Sequence, residues 1–379
     1  MVWGLSSFGF HVTNGILHII AVALFYGWCT RALADESSRT RHLGTLWPEW
    51  PAFFAASIFA FHPVIASTVV YVSARSELLC AIGSLAALML ARRAIATASR
   101  PAALLAIAFG IAAVGSSSSA AALPLLVLAY DAWILRDDGW RRRMWRIYLP
   151  ATALIAVAAA LRLPAILGAD RVPPRGLIEN LVVEATVAWR YIGLLLIPRG
   201  LALVHDVHWV VPWHPLGLAS LALLAGGVAA AIRIRRSYPL VAFGVLWFVA
   251  VLAPTSSVIP VRDVMVEKRV YLAAAGLLLA TASALARPLA TKRLARGIGT
   301  ALLAVLIVLT YTRNARWSDL MGMWEDTVRR APGAWQAHLG YADLLREIHR
   351  CDRAIGEYRE VLRLHPEHPA AVAGMRACH

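Results

Sequence analysis

Cysteine is sparse. There are four in 379 residues: Cys29 and Cys80 lie in or beside apolar runs, and Cys351 and Cys378 lie near the C-terminus. No pair has the spacing of a zinc site or a redox motif, so neither chemistry is assigned. A basic stretch before the first apolar run is also missing, since Met1 is followed by "VWGLSSFGFHVTN". An ordinary secretory leader is therefore not expected there. Alternating ten-residue segments are absent too, which argues against an outer-membrane-type barrel.

What the chain has is apolar residue. Hydrophobic types make up 59% of it and the mean hydropathy is +0.63, where a soluble domain is about half apolar. The excess falls in blocks of about 15–22 residues, the length that spans a bilayer core. The expected fold class is all-α: a polytopic helical membrane protein. Its ten expected spans are 8–28, 51–66, 76–92, 101–116, 119–136, 147–166, 214–232, 239–257, 269–287 and 298–312. Of the fourteen tryptophans, Trp28, Trp47, Trp145 and Trp213 sit at segment ends, as in an interfacial aromatic belt.

The net charge of +15 would point to nucleic acid in a soluble protein. Here the arginines cluster in short loops between apolar runs: 92–100, 136–146, 233–237 and 287–296. That is the positive-inside bias, so the expected partner is membrane lipid and not nucleic acid. The segment 177–198, "LIENLVVEATVAWRYIGLLLIP", tests the parity. If it crossed, the loops 233–237 and 287–296 would land outside. Read as an interfacial or re-entrant helix carrying Glu184 and Arg190, it leaves every basic loop in the cytoplasm. The island 62–76, the serines 116–119, the long loop 164–213, the loop 255–269 and both termini then face outward. An outward N-terminus with no preceding signal implies at least one further helix upstream.

Beyond residue 312 the pattern becomes amphipathic and helical. Pro332 and Pro366 are 34 residues apart, the period of the tetratricopeptide repeat (TPR). With Pro366 at repeat position 32, Ala354 and Tyr358 take the small and aromatic packing positions, while Tyr341 and Val361 depart from the usual types. The domain expectation is a membrane domain over 1–312, containing the external loop 164–213, and a TPR region over 316–379 with one full repeat, 335–368. A lone repeat cannot bury its face, so the membrane domain or further repeats must cap it.

Polar residues near the membrane collect on the outward side, where ionisable groups are functional candidates. They are His62, Arg75 and Glu77 in "FHPVIASTVVYVSARSELL" (61–79), His205, Asp206 and His208 in the long loop, and Arg262, Asp263, Glu267, Lys268 and Arg269 before the ninth span. Cations there suit a lipid phosphate and a carboxylate suits a general base. Plainer readings stand beside these: His-Pro as a turn and cap, Arg75 with Glu77 as snorkelling, and "VEKR" as flanking charge. "HDVH" has the types of a metal-ligand set. It leaves a divalent cation open as cofactor, but no metal ligand is assigned.

Six stretches taken in order resemble one family: "WGLSSFGFHVTNGILH" (3–18), "FHPVIASTVVYVSARSELL" (61–79), "SSSSAAALPLLVLAYD" (116–131), "RYIGLLLIPRGLALVHDVH" (190–208), "LWFVAVLAPTSSVIPVRDVMVEKRVYL" (246–272) and "RWSDLMGMWEDTVRRAPGAWQAHLGYADLL" (316–345). They are similar to the transmembrane-and-TPR O-mannosyltransferases, membrane glycosyltransferases of the C-type (GT-C) fold. The resemblance implies a polyprenyl-phosphate-linked sugar of the mannose type as donor, with transfer to a protein or glycan hydroxyl, with inversion, on the external face. The TPR region would present the acceptor. It marks Glu267, Lys268, Arg269 and Tyr271 as the counterpart of a Glu-His-Arg before Tyr-Leu, with Lys268 replacing His. Ser67 stands where the family carries an acid, and Ser117 and Ser118 where it carries Lys-Glu. The family's catalytic carboxylate belongs to an external loop that would precede Met1, so no catalytic residue is assigned and the chain reads as N-terminally truncated.

The expected function is accordingly a glycosyltransferase-like integral membrane protein, placed in a bacterial inner membrane with its TPR region on the periplasmic side. The alternative is a non-catalytic membrane-anchored TPR scaffold that binds protein partners. A transporter reading fails for want of a mid-span ionisable relay or an inverted repeat.

Overall fold

The computed structural model describes residues 7–38, 49–136, 139–154, 157, 176–206, 214–256, 264–317 and 319–378. Among these every regular element is helical. α1 (Ser7–Ser37), α2 (Glu49–Phe61), α3 (Pro63–Val70), α4 (Arg75–Thr97) and α5 (Arg100–Ser116) come first. A 3₁₀ turn (Ser118–Ala122) then leads into α6 (Leu123–Tyr130), and α7 (Trp140–Arg143) follows. Next are α8 (Leu177–Leu196), α9 (Pro215–Ile234), α10 (Pro239–Ser256), α11 (Val270–Ala284), α12 (Ala286–Thr291) and α13 (Arg293–Arg316). Four helices end the chain: α14 (Leu320–Arg330), α15 (Trp335–Glu347), α16 (Cys351–Leu364) and α17 (Pro369–Ala377).

Five described stretches are long and apolar enough to cross a membrane: Phe8–Ser37, Arg75–Thr97, Ser118–Leu135, Pro215–Ile234 and Arg293–Arg316. α2 and α3 add a sixth if their bent pair counts as one span. Several of the ten expected spans come out differently. The span 51–66 is divided at His62 and its axis turns by 52°. Pro63 brings no N–H and its ring excludes a continuing helix, so it opens α3 instead. The spans 101–116 and 239–257 are the shorter apolar helices α5 and α10. The span 269–287 is α11, which has 15 residues. At 1.5 Å per residue it reaches about 22 Å, short of a core about 30 Å thick. Hydropathy marks burial in protein as readily as burial in lipid, and α11 is the case in point: Val270–Ala275 are almost fully buried. Most of 147–166 lies outside the described residues. α8 carries Asn180, Val183, Glu184, Val187 and Tyr191 on its buried face and rests against α9 and α10.

α1, α2, α4, α6, α10 and α11 share one core. Two aromatic groups fill it: Trp28, Tyr130, Phe243 and Trp247 in one, and His18, Phe25, Phe59 and Tyr271 in the other. Trp28 is therefore a core residue and not part of an interfacial belt. Trp145 is exposed, and Trp47 and Trp213 lie outside the described residues. α10 and α11 cross at Gly244 and Gly276. A Cβ on either would collide with the other's carbonyl oxygen, so only glycine allows this approach. The outer helices instead turn apolar side chains outward, among them Leu104 and Ile111 on α5, Leu216 and Leu223 on α9, and Ile298 and Val308 on α13. Lipid is the solvent such faces require.

Acidic groups clamp the bundle at the end where the basic loops lie. Arg92 donates from Nε and Nη2 to the two carboxylate oxygens of Asp35, each at 2.5 Å. Tyr130 donates to the same carboxylate at 2.6 Å. Asp131 accepts from Arg143 at 2.7 and 2.8 Å and from Tyr148 at 2.9 Å. Glu36 accepts from Ser283 Oγ at 2.6 Å and from the Leu240 N–H at 3.1 Å.

The last four helices have their own core of Trp335, Tyr341, Ala342, Leu345, Ala354, Tyr358, Val361 and Ala371. Tyr358 is fully enclosed, with its hydroxyl donating to Asp343 at 2.7 Å. Pro332 and Pro366 both fall in turns, before α15 and after α16. A disulfide joins Cys351 to Cys378, tying the start of α16 to the residue after α17. The sequence spacing assigned no pair here, because the two cysteines meet only once α17 folds back on α16.

Candidate functional site

The functional candidates gather at the opposite end of the bundle, around the break between α2 and α3. His62 occupies this break and is 1% exposed. Its Nδ1 accepts from the Val64 N–H at 3.3 Å and caps α3. Its Nε2–H donates to the Leu195 carbonyl at 3.0 Å, serving an oxygen left open in the last turn of α8. Both ring nitrogens are thus occupied, and His62 is a joint between helices. The Phe61 carbonyl, freed by the same break, accepts from Thr310 of α13 at 2.6 Å. Ser67 is buried and donates to Val64 O at 2.6 Å.

The rest of the island faces the turn before α11. Arg75 stacks on the Phe10 ring at 4.5 Å. Glu77 accepts from Ser117 Oγ at 3.2 Å, and Lys268 and Arg269 act on its charge. Lys268 Nζ sits 5.6 Å from the Tyr71 ring centre, and Arg269 donates to Val264 O at 3.2 Å. The island and the "EKR" turn therefore do meet, with Glu77 in reach of Lys268 and Arg269. Tyr271 does not join them. It is 0% exposed and its hydroxyl lies 2.7 Å from His18 Nδ1. His18 Nε2 faces the Ala60 carbonyl at 3.2 Å, so Nε2 carries the proton and Tyr271 donates.

Glu267 points the other way from Lys268 and Arg269. It is 6% exposed and holds three segments together. Oε1 accepts from the Ala202 N–H at 3.0 Å and from His205 Nε2 at 3.1 Å. Oε2 accepts from Arg313 Nη2 at 3.0 Å. One carboxylate thus joins the loop after α8, the turn before α11 and the end of α13. Asp206, next in that loop, accepts from the Gly333 N–H at 3.1 Å, and Val204 packs among Ala331, Ala334 and Ala337. The two loop residues named as acceptor candidates, His205 and Asp206, are thereby a fixed bridge from the membrane bundle to the C-terminal helices.

Beside this bridge opens a cavity of about 340 Å³. Pro63 of α3, residues 198–201, and Leu309, Thr312, Arg313 and Arg316 of α13 line it, and Arg330 of α14 closes one side. Four arginines therefore line it: Arg199, Arg313, Arg316 and Arg330. Arg316 and Arg330 are near enough to Arg313 to repel its charge. Among the described residues no carboxylate pairs with Arg199 or Arg316. The sequence analysis singled out none of the four. Arg313 and Arg316 share a helical face by their spacing of three, which was legible, but their meeting with Arg199 and Arg330 is tertiary.

Among the described residues no three His, Cys, Asp or Glu side chains are placed to hold a metal ion. His208, Arg262 and Asp263 lie outside the described residues. The packing residues Ala354 and Tyr358 are buried between the C-terminal helices, while Pro366 is exposed in its turn.

One group in those helices titrates usefully. His338 Nδ1 faces Glu357 at 2.6 Å and Nε2 faces the Pro332 carbonyl at 3.1 Å. Burial pulls its pKa down, but the Glu357 hydrogen bond and the Pro332 carbonyl outweigh this and leave it above the ordinary 6.5. Both nitrogens face acceptors, so the imidazolium is the form the fold holds. A raised folded pKa stabilises most below the unfolded value and loses that contribution as pH rises through the folded one. Amide exchange of α15 and α16 in the intact protein should therefore quicken as pH climbs above about 6.5, once corrected for intrinsic exchange. His338→Gln should flatten that rise.

Compared with protein-family models, with curated proteins and with solved structures, the chain matches none of them.

Proposed function

We propose that this is an integral membrane protein of the GT-C type whose arginine-lined cavity holds the phosphate of a polyprenyl-phosphate-linked sugar. The observation that carries the proposal is the cavity. Four arginines line it at the end of an apolar helix, where a lipid headgroup would lie, and guanidinium matches phosphate in geometry and charge. In the reaction, an acceptor hydroxyl attacks the sugar's anomeric carbon and loses its proton to a base. The carbon–oxygen bond to phosphate breaks, and polyprenyl phosphate departs with the electron pair. The mannose-type sugar and a protein or glycan acceptor follow from the family resemblance.

Three further points support this reading. The basic loops lie at the opposite end from the cavity, which supports an external cavity under the positive-inside bias. The Cys351–Cys378 disulfide suits an oxidising compartment such as the bacterial periplasm. α15 and α16 form an antiparallel pair spanning the 34-residue period, as one TPR would, with parts of its neighbours in α14 and α17. On this reading the bundle has about ten spans, with α5 and α10 among them.

The test uses the full chain in proteoliposomes with a radiolabelled polyprenyl-phosphate mannose. Retention of the lipid phosphate, but not of the phosphate-free polyprenol, is expected. Arg199→Gln with Arg316→Gln should weaken it about tenfold or more without changing membrane insertion. Equal retention of phosphate and alcohol would overturn the reading. If instead no lipid phosphate binds and the C-terminal helices retain a protein partner, the scaffold alternative takes its place.

A further inference from the structure

We infer that the cavity is built for a phosphate monoester dianion at the end of a lipid chain, and that Arg330, supplied by the C-terminal helices, is one of its binding residues. This rests on the lipid-phosphate reading above and goes beyond it in two ways: it says which lipid species the site prefers and which part of the chain completes the site.

The charge balance comes first. Four arginines line the cavity. Among the described residues Glu267 offsets Arg313 and Asp326 offsets Arg330, while Arg199 and Arg316 have no carboxylate partner, a surplus of two positive charges. A phosphodiester, such as a lipid-linked sugar, carries one negative charge. A monoester carries about −1.5 to −2 at pH 7, with its second pKa near 6. Two unneutralised guanidiniums therefore match the lipid phosphate left after transfer better than they match the donor. Charge that develops on the departing oxygen meets groups already in place to receive it.

The apolar lining argues for a lipid and against free phosphate. Leu302, Val305 and Leu309 follow one another up a single face of α13, at intervals of three and four, and all three are exposed. Leu309 is part of the cavity wall and Arg313 and Arg316 continue the same face. A chain lying along this stripe delivers its headgroup to the arginines.

Arg330 is the only one of the four that the membrane bundle does not supply. Asp326, one turn earlier on α14, receives its Nε–H at 2.7 Å and holds the side chain at the cavity mouth. The bond from Gly333 to Asp206 and the seat of Val204 among three alanines fix α14 and α15 against the bundle. The C-terminal helices thus form one wall of the site as well as an adjoining domain.

The experiment uses the full chain in phosphatidylcholine nanodiscs at pH 7.5, with a polyprenyl phosphate, its methyl phosphodiester and inorganic phosphate as probes. The monoester should bind about tenfold tighter than the diester, and the preference should shrink toward pH 5, where the monoester becomes a monoanion. Inorganic phosphate should bind weakly. Arg330→Gln should remove about tenfold of monoester affinity, change diester affinity far less and so collapse the preference. Arg330→Lys should restore part of it, and Arg329→Gln, on the exposed neighbour, should change nothing. Equal binding of monoester and diester by the unaltered protein would overturn the inference, as would an unaltered preference in Arg330→Gln. Inorganic phosphate binding as tightly as the lipid would also overturn it. If neither lipid binds at all, the glycosyltransferase reading itself falls.

Discussion

Replacing Glu267 with alanine is expected to destabilise the protein by about 3 kcal/mol, the lower end of the range for removing one partner of a buried ion pair. The lower end applies because Arg313 keeps 18% of its side-chain surface. Three donors lose their acceptor together: the Ala202 N–H, His205 and Arg313. Among the described residues Arg313 is then left as a charge facing Arg316 and Arg330. Glu267→Gln keeps an acceptor oxygen but not the charge, and should cost less, about 1–2 kcal/mol. Adding Arg313→Met to Glu267→Ala should recover part of the loss, since a charge no longer sits unpaired. The check is the thermal midpoint in detergent, which should fall by several degrees, with cleavage in residues 198–206 by added protease. A Glu267→Ala protein that melts with the parent would show that the bridge is ornamental. This outcome also decides how transfer data should be read, because lost activity in Glu267→Ala can come from a collapsed site without any chemical role for the carboxylate.

The second large effect is expected at Cys351. Changing Cys351 and Cys378 together to serine opens a loop whose ends are 27 residues apart. Chain-entropy estimates put the loss at about 3 kcal/mol. It should be local: α16 and α17 lose protection from hydrogen exchange, while α10 and α11 keep theirs. The reason lies in what holds α17. Gly374 lets the helix approach the Tyr358 ring so closely that a Cβ would collide with it, Ala371 enters the shared core, and the disulfide adds the one covalent restraint at the far end of this nine-residue helix. Unchanged exchange in α17 after the double replacement would count against the disulfide as its anchor. A faster exchange across the whole bundle would show instead that the C-terminal helices support the membrane bundle.

The helical membrane character could be read from the length of the apolar runs. The interruption at His62 and Pro63 was half legible: His-Pro was read as a turn and cap, yet the expected span 51–66 ran through it. What lies beyond is set by direction, and sequence does not give direction. Tyr271 is two residues from Arg269, yet it enters the core and bonds to His18 while Arg269 stays near the surface. Glu267 and Lys268 are adjacent and serve different neighbours, because a 3₁₀ turn sends successive side chains about 120° apart. The site residues that were missed come from three segments, the loop after α8 and the ends of α13 and α14, and only tertiary packing brings Arg199 to the cavity that the other three line. The cysteines failed for the same reason: Cys351 opens α16, Cys378 follows α17, and they meet through packing.

The ion pairs at the far end of the bundle bear on how the protein comes to be oriented. Positive-inside orientation is set while a chain is being inserted, when lysine and arginine count and carboxylates contribute little. At that stage Arg92 and Arg143 are bare cations at the ends of hydrophobic segments. After folding they are bound to Asp35 and Asp131. On the proposed orientation the same two side chains act at two times, first as address labels for the nascent helices and later as bolts for the finished bundle. Exchanging Asp35 or Asp131 for its amide would thus loosen the assembled protein and leave its sidedness untouched. Exchanging the arginines would disturb both.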